Sequence, residues 1–376
     1  NATNTIGTLG SITRGGQLDV VDSAGGLTVT GPITGGTITK AVNISTVGTL
    51  AVDGSISTSL ANNISLTGTG VTQAGASTVN AGAGTILVDA NDGAIDMTTG
   101  TLTTLNATGS AITIQDATTV ALGNTSAAGG TVVLGVGTDI TGAVTQTALT
   151  TLNASAVTAS TTGSINLGNA TNTIGTLGSI TRGGQLDVVD SAGGLTVTGP
   201  ITGGTITNAV NISTVGTLAV DGSISTSLAN NIDLTGVGVT QAGASTVDGG
   251  AGNIVIDANT GVFDSSGTVQ TSGNITISAD TITLAGLIKG SGGASEVKLA
   301  PDTGSTAINL GATAAAGFAL TDTELNTIEA PIVRIGTTVG VPVGGATSGA
   351  ITIAGNFTDD AAFATDFLEF RTTGAV

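Results

Sequence analysis

Residues 27–66 read LTVTGPITGGTITKAVNISTVGTLAVDGSISTSLANNISL, and when this stretch is laid over itself with a shift of 22 or 23 its apolar positions coincide. Leu27, Val29 and Ile33 fall on Leu50, Val52 and Ile56, and Gly31 falls on Gly54. Ile38, Val42 and Ile44 fall on Leu60, Ile64 and Leu66, and the last pair continues to Ile86 and Val88. Within each unit the apolar residues alternate with Thr, Ser, Asn or Asp, the period of a half-buried strand. Gly-rich corners separate the strands. A unit this short cannot bury its inward face alone, so successive units must stack. The expected fold is therefore all-β, a parallel β-helix (β-solenoid) with turns of about 20–26 residues. At that pitch the chain makes roughly 17 turns.

A longer repeat overlies the short one. Residues 1–96 recur at 169–264, an offset of 168, with 11 differences, and the block 1–39 is unchanged at 169–207. Several differences keep apolar character, such as Leu87 to Val255, Val88 to Ile256 and Ile95 to Phe263. The offset corresponds to roughly seven or eight turns. Residues 97–168 hold the pattern more loosely, through Ile112 to Ile114, Val120 to Leu122, Val132 to Leu134 and Ile165 to Leu167. The reading divides the chain into a regular solenoid at 1–264 and a less regular continuation at 265–376. The first Glu (Glu296) occurs in the second part, and all six Phe fall at 263 or later. Only 312–318 and 322–329 have helical flavour.

The interior must be thin. Among 376 residues there is no Cys, His, Trp or Tyr, while 39% are apolar and only 9% charged. Aromatics ordinarily fill a wide core, whereas Val, Ile, Leu and Ala suffice for a solenoid lumen. The net charge of −18 repels nucleic acid and anionic lipid, and no apolar run approaches the length that spans a bilayer. With neither nucleic acid nor membrane insertion indicated, and no thiol or imidazole for metal or acid–base work, the chain is expected to be no enzyme and to need no cofactor. The opening in mid-repeat and the uncapped close suggest a segment of a longer protein whose export signal lies elsewhere.

Four carboxylates are the candidate calcium ligands: Asp89 and Asp92 at one corner, Asp359 and Asp360 near the end. The plain alternative is that they are solvated turn residues. The stretch 249–254, GGAGNI, echoes a calcium-binding β-roll turn, but Ile254 stands where a ligand Asp belongs. Asn-x-Ser/Thr sequons at Asn43, Asn63, Asn106, Asn211 and Asn274 are candidate glycosylation sites. Thr28 and Thr30 suggest an ice-binding array, but the register sets them against Ala51 and Asp53, so the array does not repeat. Asn and Thr facing inward at corners are expected to stack into side-chain ladders.

Thr-, Gly- and Ala-rich turns near 20 residues, together with LTDTELNTIEAPIVRIG at 320–336 and SGAITIAG at 348–355, resemble the filamentous haemagglutinin-like exoproteins of Gram-negative bacteria. That resemblance implies a right-handed β-helix shaft at the cell surface or secreted, exported through an outer-membrane secretion partner and serving a host or matrix receptor. The function expected is a stiff extracellular rod or filament, with self-association into fibres. A β-helix enzyme acting on extracellular polysaccharide and a surface-layer protein are the alternatives.

Overall fold

The structure, a computed structural model, describes residues 4–35, 40–169, 171–203, 208–311, 317–336, 348–354 and 367–372. It is a parallel β-solenoid of about 13 turns, divided into two compact units, Asn1–Ser191 and Ala192–Val376. Among the described residues no helix is long and apolar enough to cross a membrane.

In the first unit each turn contributes three strand segments, some of them continuous around a corner as in Ile86–Asp96 and Ser110–Leu122, and each segment pairs in parallel with its counterpart one turn on. The chain thus winds around a three-sided prism. One side carries the column Leu18, Val42, Ile64, Ile86, Ile112, Val132, Val157, Leu177. The second carries Leu27, Leu50, Val71, Ile95, Val120, Val144, Ile165, Leu186. The third runs through Ile12, Ile33, Ile56, Val79 and Leu102. From Val42 onward the residues of these columns are fully buried, at 0–1% exposure. Alternation explains this: strand side chains point to opposite faces, so a β-branched or Leu residue at every second position fills the lumen and the Thr and Ser between them face water.

Sequence and structure agree on these registers, with one exception. Leu60, expected to stack on Ile38, is 56% exposed and lies at a positive φ of 61°. It sits in a corner loop closed by the Thr58 hydroxyl, which donates to the Asn62 carbonyl at 2.9 Å; Ile38 itself lies outside the described residues.

The 168-residue offset is not a whole number of turns. Seven steps down the first column lead from Leu18 to Leu177, whereas Leu186, the sequence equivalent of Leu18, stands on the next side of the prism, stacked on Ile165. One block therefore advances seven turns and one side.

The second unit repeats the architecture. Val210, Ile232, Ile254, Ile275, Val297 and Val333 form one column, and Phe263 takes the place of Ile95 between Val239 and Ile282. Ile254, the residue at the ligand position of the calcium-like turn, is fully buried in this column. The regular winding stops after Ala300. Ile288 pairs with Ile328 and Val297 with Val333, so the described residues between Ala300 and Ile328 leave the stack. In this excursion Ile308–Leu310 pairs with both Phe318–Leu320 and Ile351–Ile353 in a small sheet of its own. The helical stretch at 322–329 reduces to one turn, Asp322–Leu325, held by a capping box between Thr321 and Glu324.

Side-chain ladders do form, but at the outer rim of a corner. The amide N–H of Asn253 donates to Oδ1 of Asn231 at 3.0 Å, Asn274 to Asn253 at 2.9 Å, and Glu296 to Asn274 at 3.0 Å. Each asparagine thereby satisfies a backbone donor of the next turn that would otherwise face solvent at the bend.

Candidate functional site: an acidic corner column

The corner after Ile86–Asp89 requires left-handed backbone at Asn91 (φ 42°) and Asp92 (φ 63°), and the same corner one and two turns on places Asp116 (φ 51°) and Thr138 (φ 70°) in that region. Asn and Asp tolerate this conformation better than other side chains, so the geometry of the bend itself recruits carboxylates. Stacking then brings Asp89, Asp92, Asp116 and Asp139 together. Asp89 is occupied: Oδ1 accepts the Asn91 amide at 3.1 Å and Oδ2 accepts from Gln115 Nε2 at 2.9 Å. Asp139 Oδ1 accepts the Val136 amide at 2.7 Å. The Asp116 carboxyl is held above its ordinary range, first by desolvation, then by the charges of Asp92, Asp89 and Asp139 and by a hydrogen bond with Asp92.

A related column recurs in the second unit. Asp302 is raised by desolvation and by Asp257 and Asp280, while Asp280 accepts from the Thr303 amide at 2.7 Å. Asp257 corresponds to Asp89, but Asp92 is replaced by Thr260. Among the described residues no three acidic side chains converge as a metal-binding group. Asp359 and Asp360, the other calcium candidates, lie outside the described residues.

Sequence reading singled out Asp89 and Asp92 and missed Asp116, Asp139, Asp280 and Asp302. The signal was there: Asp92, Asp116 and Asp139, like Asp257, Asp280 and Asp302, are each separated by about one turn.

The sequon asparagines lie at or beside strand starts and corners, and Asn43, Asn63 and Asn274 bond to a neighbouring turn. Asn63 is exposed, and its Oδ1 accepts the Thr85 amide at 3.0 Å. Asn43 Nδ2 donates to Asp19 at 2.6 Å, Asn106 Oδ1 accepts the Thr108 amide at 2.9 Å, Asn274 belongs to the rim ladder, and Asn211 is half-buried in Val210–Thr214.

Concavities are present among the described residues. A cleft of about 260 Å³ is lined by Asp248, Gln270, Thr271, Ser272 and Lys289; Gln270 donates to Asp248 at 2.7 Å and Lys289 pairs with Glu329 at 2.6 Å. Another, of about 350 Å³, lies between Thr281–Thr283 and the capped helical turn, where Glu324 accepts the Leu284 amide at 3.1 Å. Nearby strands carry a charge ladder that the sequence did not announce. Glu296 pairs with Arg334 and, at 3.0 Å, with Lys298; Glu369 pairs with Arg334 at 2.6 Å and Arg371 at 2.8 Å. Together Arg371 and Arg334 hold the Glu369 carboxyl below its usual range.

Fold and corners together define the class as a parallel β-solenoid repeat protein. Comparison of the chain with protein-family models, with curated proteins and with solved structures gave no match.

Proposed function

We propose that this chain is structural: a stiff shaft segment of an extracellular or cell-surface repeat protein of adhesin type. The observation that carries the reading is the stacking of aliphatic columns within each unit, where most strands are hydrogen-bonded to the turns on either side. Such a core resists bending and local opening because each turn is held by two neighbours. The two copies support it too, since they keep the columns and change the corners. A cell-surface location, a secretion partner in the outer membrane and a receptor at some distal tip belong to the same proposal.

Immunoelectron microscopy with antibodies raised to residues 1–96, on the cells that make the protein, tests it. Label on surface fibres or shed filaments is the expected result; label confined to the cell interior refutes it. The polar cleft around Asp248 favours one competing reading, a glycan-acting protein. Turnover on a panel of neutral and acidic glycans that disappears in Asp248→Asn would replace the shaft with an enzyme.

A further inference from the structure

The corner after Thr78–Asn80 in the first unit recurs after Thr246–Asp248 in the second with the same backbone and different side chains. Gly82 and Gly250 both take positive φ, 56° and 57°. The hydroxyls of Thr104 and Thr271, one turn on, donate to the carbonyls of Gly84 and Gly252, each at 2.5 Å. Asn80 Oδ1 accepts the Gly82 amide at 2.8 Å, and Asp248 Oδ1 accepts the Gly250 amide at 2.8 Å. An amide oxygen therefore closes this bend as well as a carboxylate does. The corner has no need of the charge on Asp248.

The charge begins an outward row instead. In the first unit the row on this side reads Asn80, Thr103, Ser126, and Leu105 at the rim is 80% exposed. In the second it reads Asp248, Gln270, Lys289, Glu329, and Ser272 stands at the rim, its amide bonded to the Gly250 carbonyl as that of Leu105 is to Gly82. These longer side chains wall the cleft of about 260 Å³. Gln270 Nε2 donates to Asp248 Oδ2 at 2.7 Å, which leaves the Gln270 Oε1 to accept. Lys289 Nζ donates to Glu329 at 2.6 Å and keeps its other protons. The hydroxyls of Ser272 and Ser291 donate to the carbonyls of Gly250 and Thr271, at 3.1 and 3.3 Å, so their lone pairs also accept.

We propose that this cleft binds a neutral sugar, one hexose unit of a glycan, and holds it without cleaving it. Its acceptors outnumber its donors, and its charges are mixed. A metal cation would meet the Lys289 ammonium and an anion would meet the Asp248 carboxylate. A ligand carrying neighbouring hydroxyls meets neither penalty. Such hydroxyls donate to Asp248, Gln270 Oε1 and the serine oxygens, while Lys289 donates to a further one. Asp248 is the only carboxylate among the residues lining the cleft, whereas glycoside hydrolysis takes two that flank the bond. With no Trp or Tyr in the chain to stack on the ring, a single sugar is held weakly, with a Kd of about 1–10 mM. The site belongs to the second unit alone and stands whether or not the chain serves as a shaft.

Saturation-transfer NMR on the full chain tests it, with the methyl glycosides of glucose, galactose and mannose as probes. At least one is expected to bind in the stated range. The double variant Asp248→Asn with Gln270→Thr restores the pair that the first unit carries as Asn80 and Thr103, so the corner keeps its cap and the chain its fold, with unchanged circular dichroism. That variant should bind the same glycoside at least ~10-fold more weakly, since it loses both the carboxylate and the amide acceptor. Lys289→Ser, which restores the residue found at Ser126, should weaken binding as well. Saturation transfer to none of the three glycosides overturns the proposal, as does equal affinity in the double variant. Displacement of the sugar by an equal concentration of calcium or methylammonium overturns the neutral class of ligand, and release of methanol from the bound glycoside overturns binding without cleavage.

Discussion

Leu18 and Leu186 occupy the same place in two identical stretches, so truncating each measures what a covering turn contributes. Leu186 is fully buried beneath Ile165. Leu18 is half-buried, with Val42 stacked in register on one side of it. Leu→Ala removes three carbons, or about 2.4 kcal/mol at ~0.8 kcal/mol per buried methylene. At Leu186 the neighbours are hydrogen-bonded into continuous sheets and cannot collapse, so the cavity raises the cost toward ~3–5 kcal/mol. At Leu18 the same carbons are partly hydrated and leave an open notch, for roughly 1–1.5 kcal/mol. A stacked array opens locally, so global melting would average the two sites. The assay is native-state hydrogen exchange at the amides of Val188 and Val20. Leu186→Ala should speed exchange at Val188 by about 100-fold or more, and Leu18→Ala should speed exchange at Val20 by roughly 10-fold, at 1.4 kcal/mol per decade. Equal acceleration at the two sites would refute the argument that the covering turn, rather than the local sequence, supplies the burial.

Three further outcomes follow from named contacts. A Cβ on Gly54 would sit 2.4 Å from the Gly31 carbonyl oxygen, whereas one on Gly10 meets nothing within 4 Å; Gly54→Ala should cost about 2 kcal/mol or more in urea unfolding and Gly10→Ala stay within ~0.5 kcal/mol. The raised Asp116 carboxyl binds its proton more tightly folded than unfolded, so its contribution to stability is full below the ordinary value of 3.8 and is lost as pH rises through the folded value. Asp116→Asn should therefore raise the Tm at neutral pH and flatten the gain on acidification toward that value; an unchanged pH profile counts against the clustered charges. Asp22 has the opposite sign: the Ile6 amide and the Thr46 hydroxyl hold it below its usual range, so its contribution is present above 3.8 and fades in stronger acid. Asn253→Ala should cost about 1 kcal/mol and expose the Asn274 amide to exchange, since that amide loses its acceptor; unaltered exchange there would show that the rim ladder holds nothing.

The columns were readable because strand alternation and the 22–23-residue step are both one-dimensional signals. Val42, Ile64 and Ile86 needed no tertiary information to be aligned. Leu60 was misplaced because a corner loop resets the spacing: the Thr58–Asn62 bond closes a bend after which the strand restarts at Ile64. The extra third of a turn in the long repeat was hidden for a related reason. Corner lengths vary, so dividing 168 by an average turn cannot tell seven from seven and a third. The acidic column escaped notice because its members lie in different turns at a bend, where left-handed residues rather than apolar spacing set the register. Arg334, Glu296 and Glu369 are brought together only by an excursion after Ala300, which nothing in the local pattern announces.

The eleven differences between 1–96 and 169–264 sort by physical consequence. At inward positions Val88 becomes Ile256 and Ile95 becomes Phe263, each larger and each still fully buried. At outward positions charge and polarity change freely: Ser65 to Asp233, Thr69 to Val237, Asn80 to Asp248, Asp92 to Thr260. The last of these removes a member of the acidic corner, and the first removes the sequon at Asn63, because Asn231 is followed by Ile and Asp. Close-approach glycines do not vary; Gly54 and Gly222 both stand where a Cβ would lie 2.4 Å from a carbonyl oxygen of the preceding turn. A protein that worked through one corner would be expected to hold that corner fixed and let packing drift within its tolerance. Here the close packing of one turn on the next is what both copies retain, and that is the property on which a shaft depends.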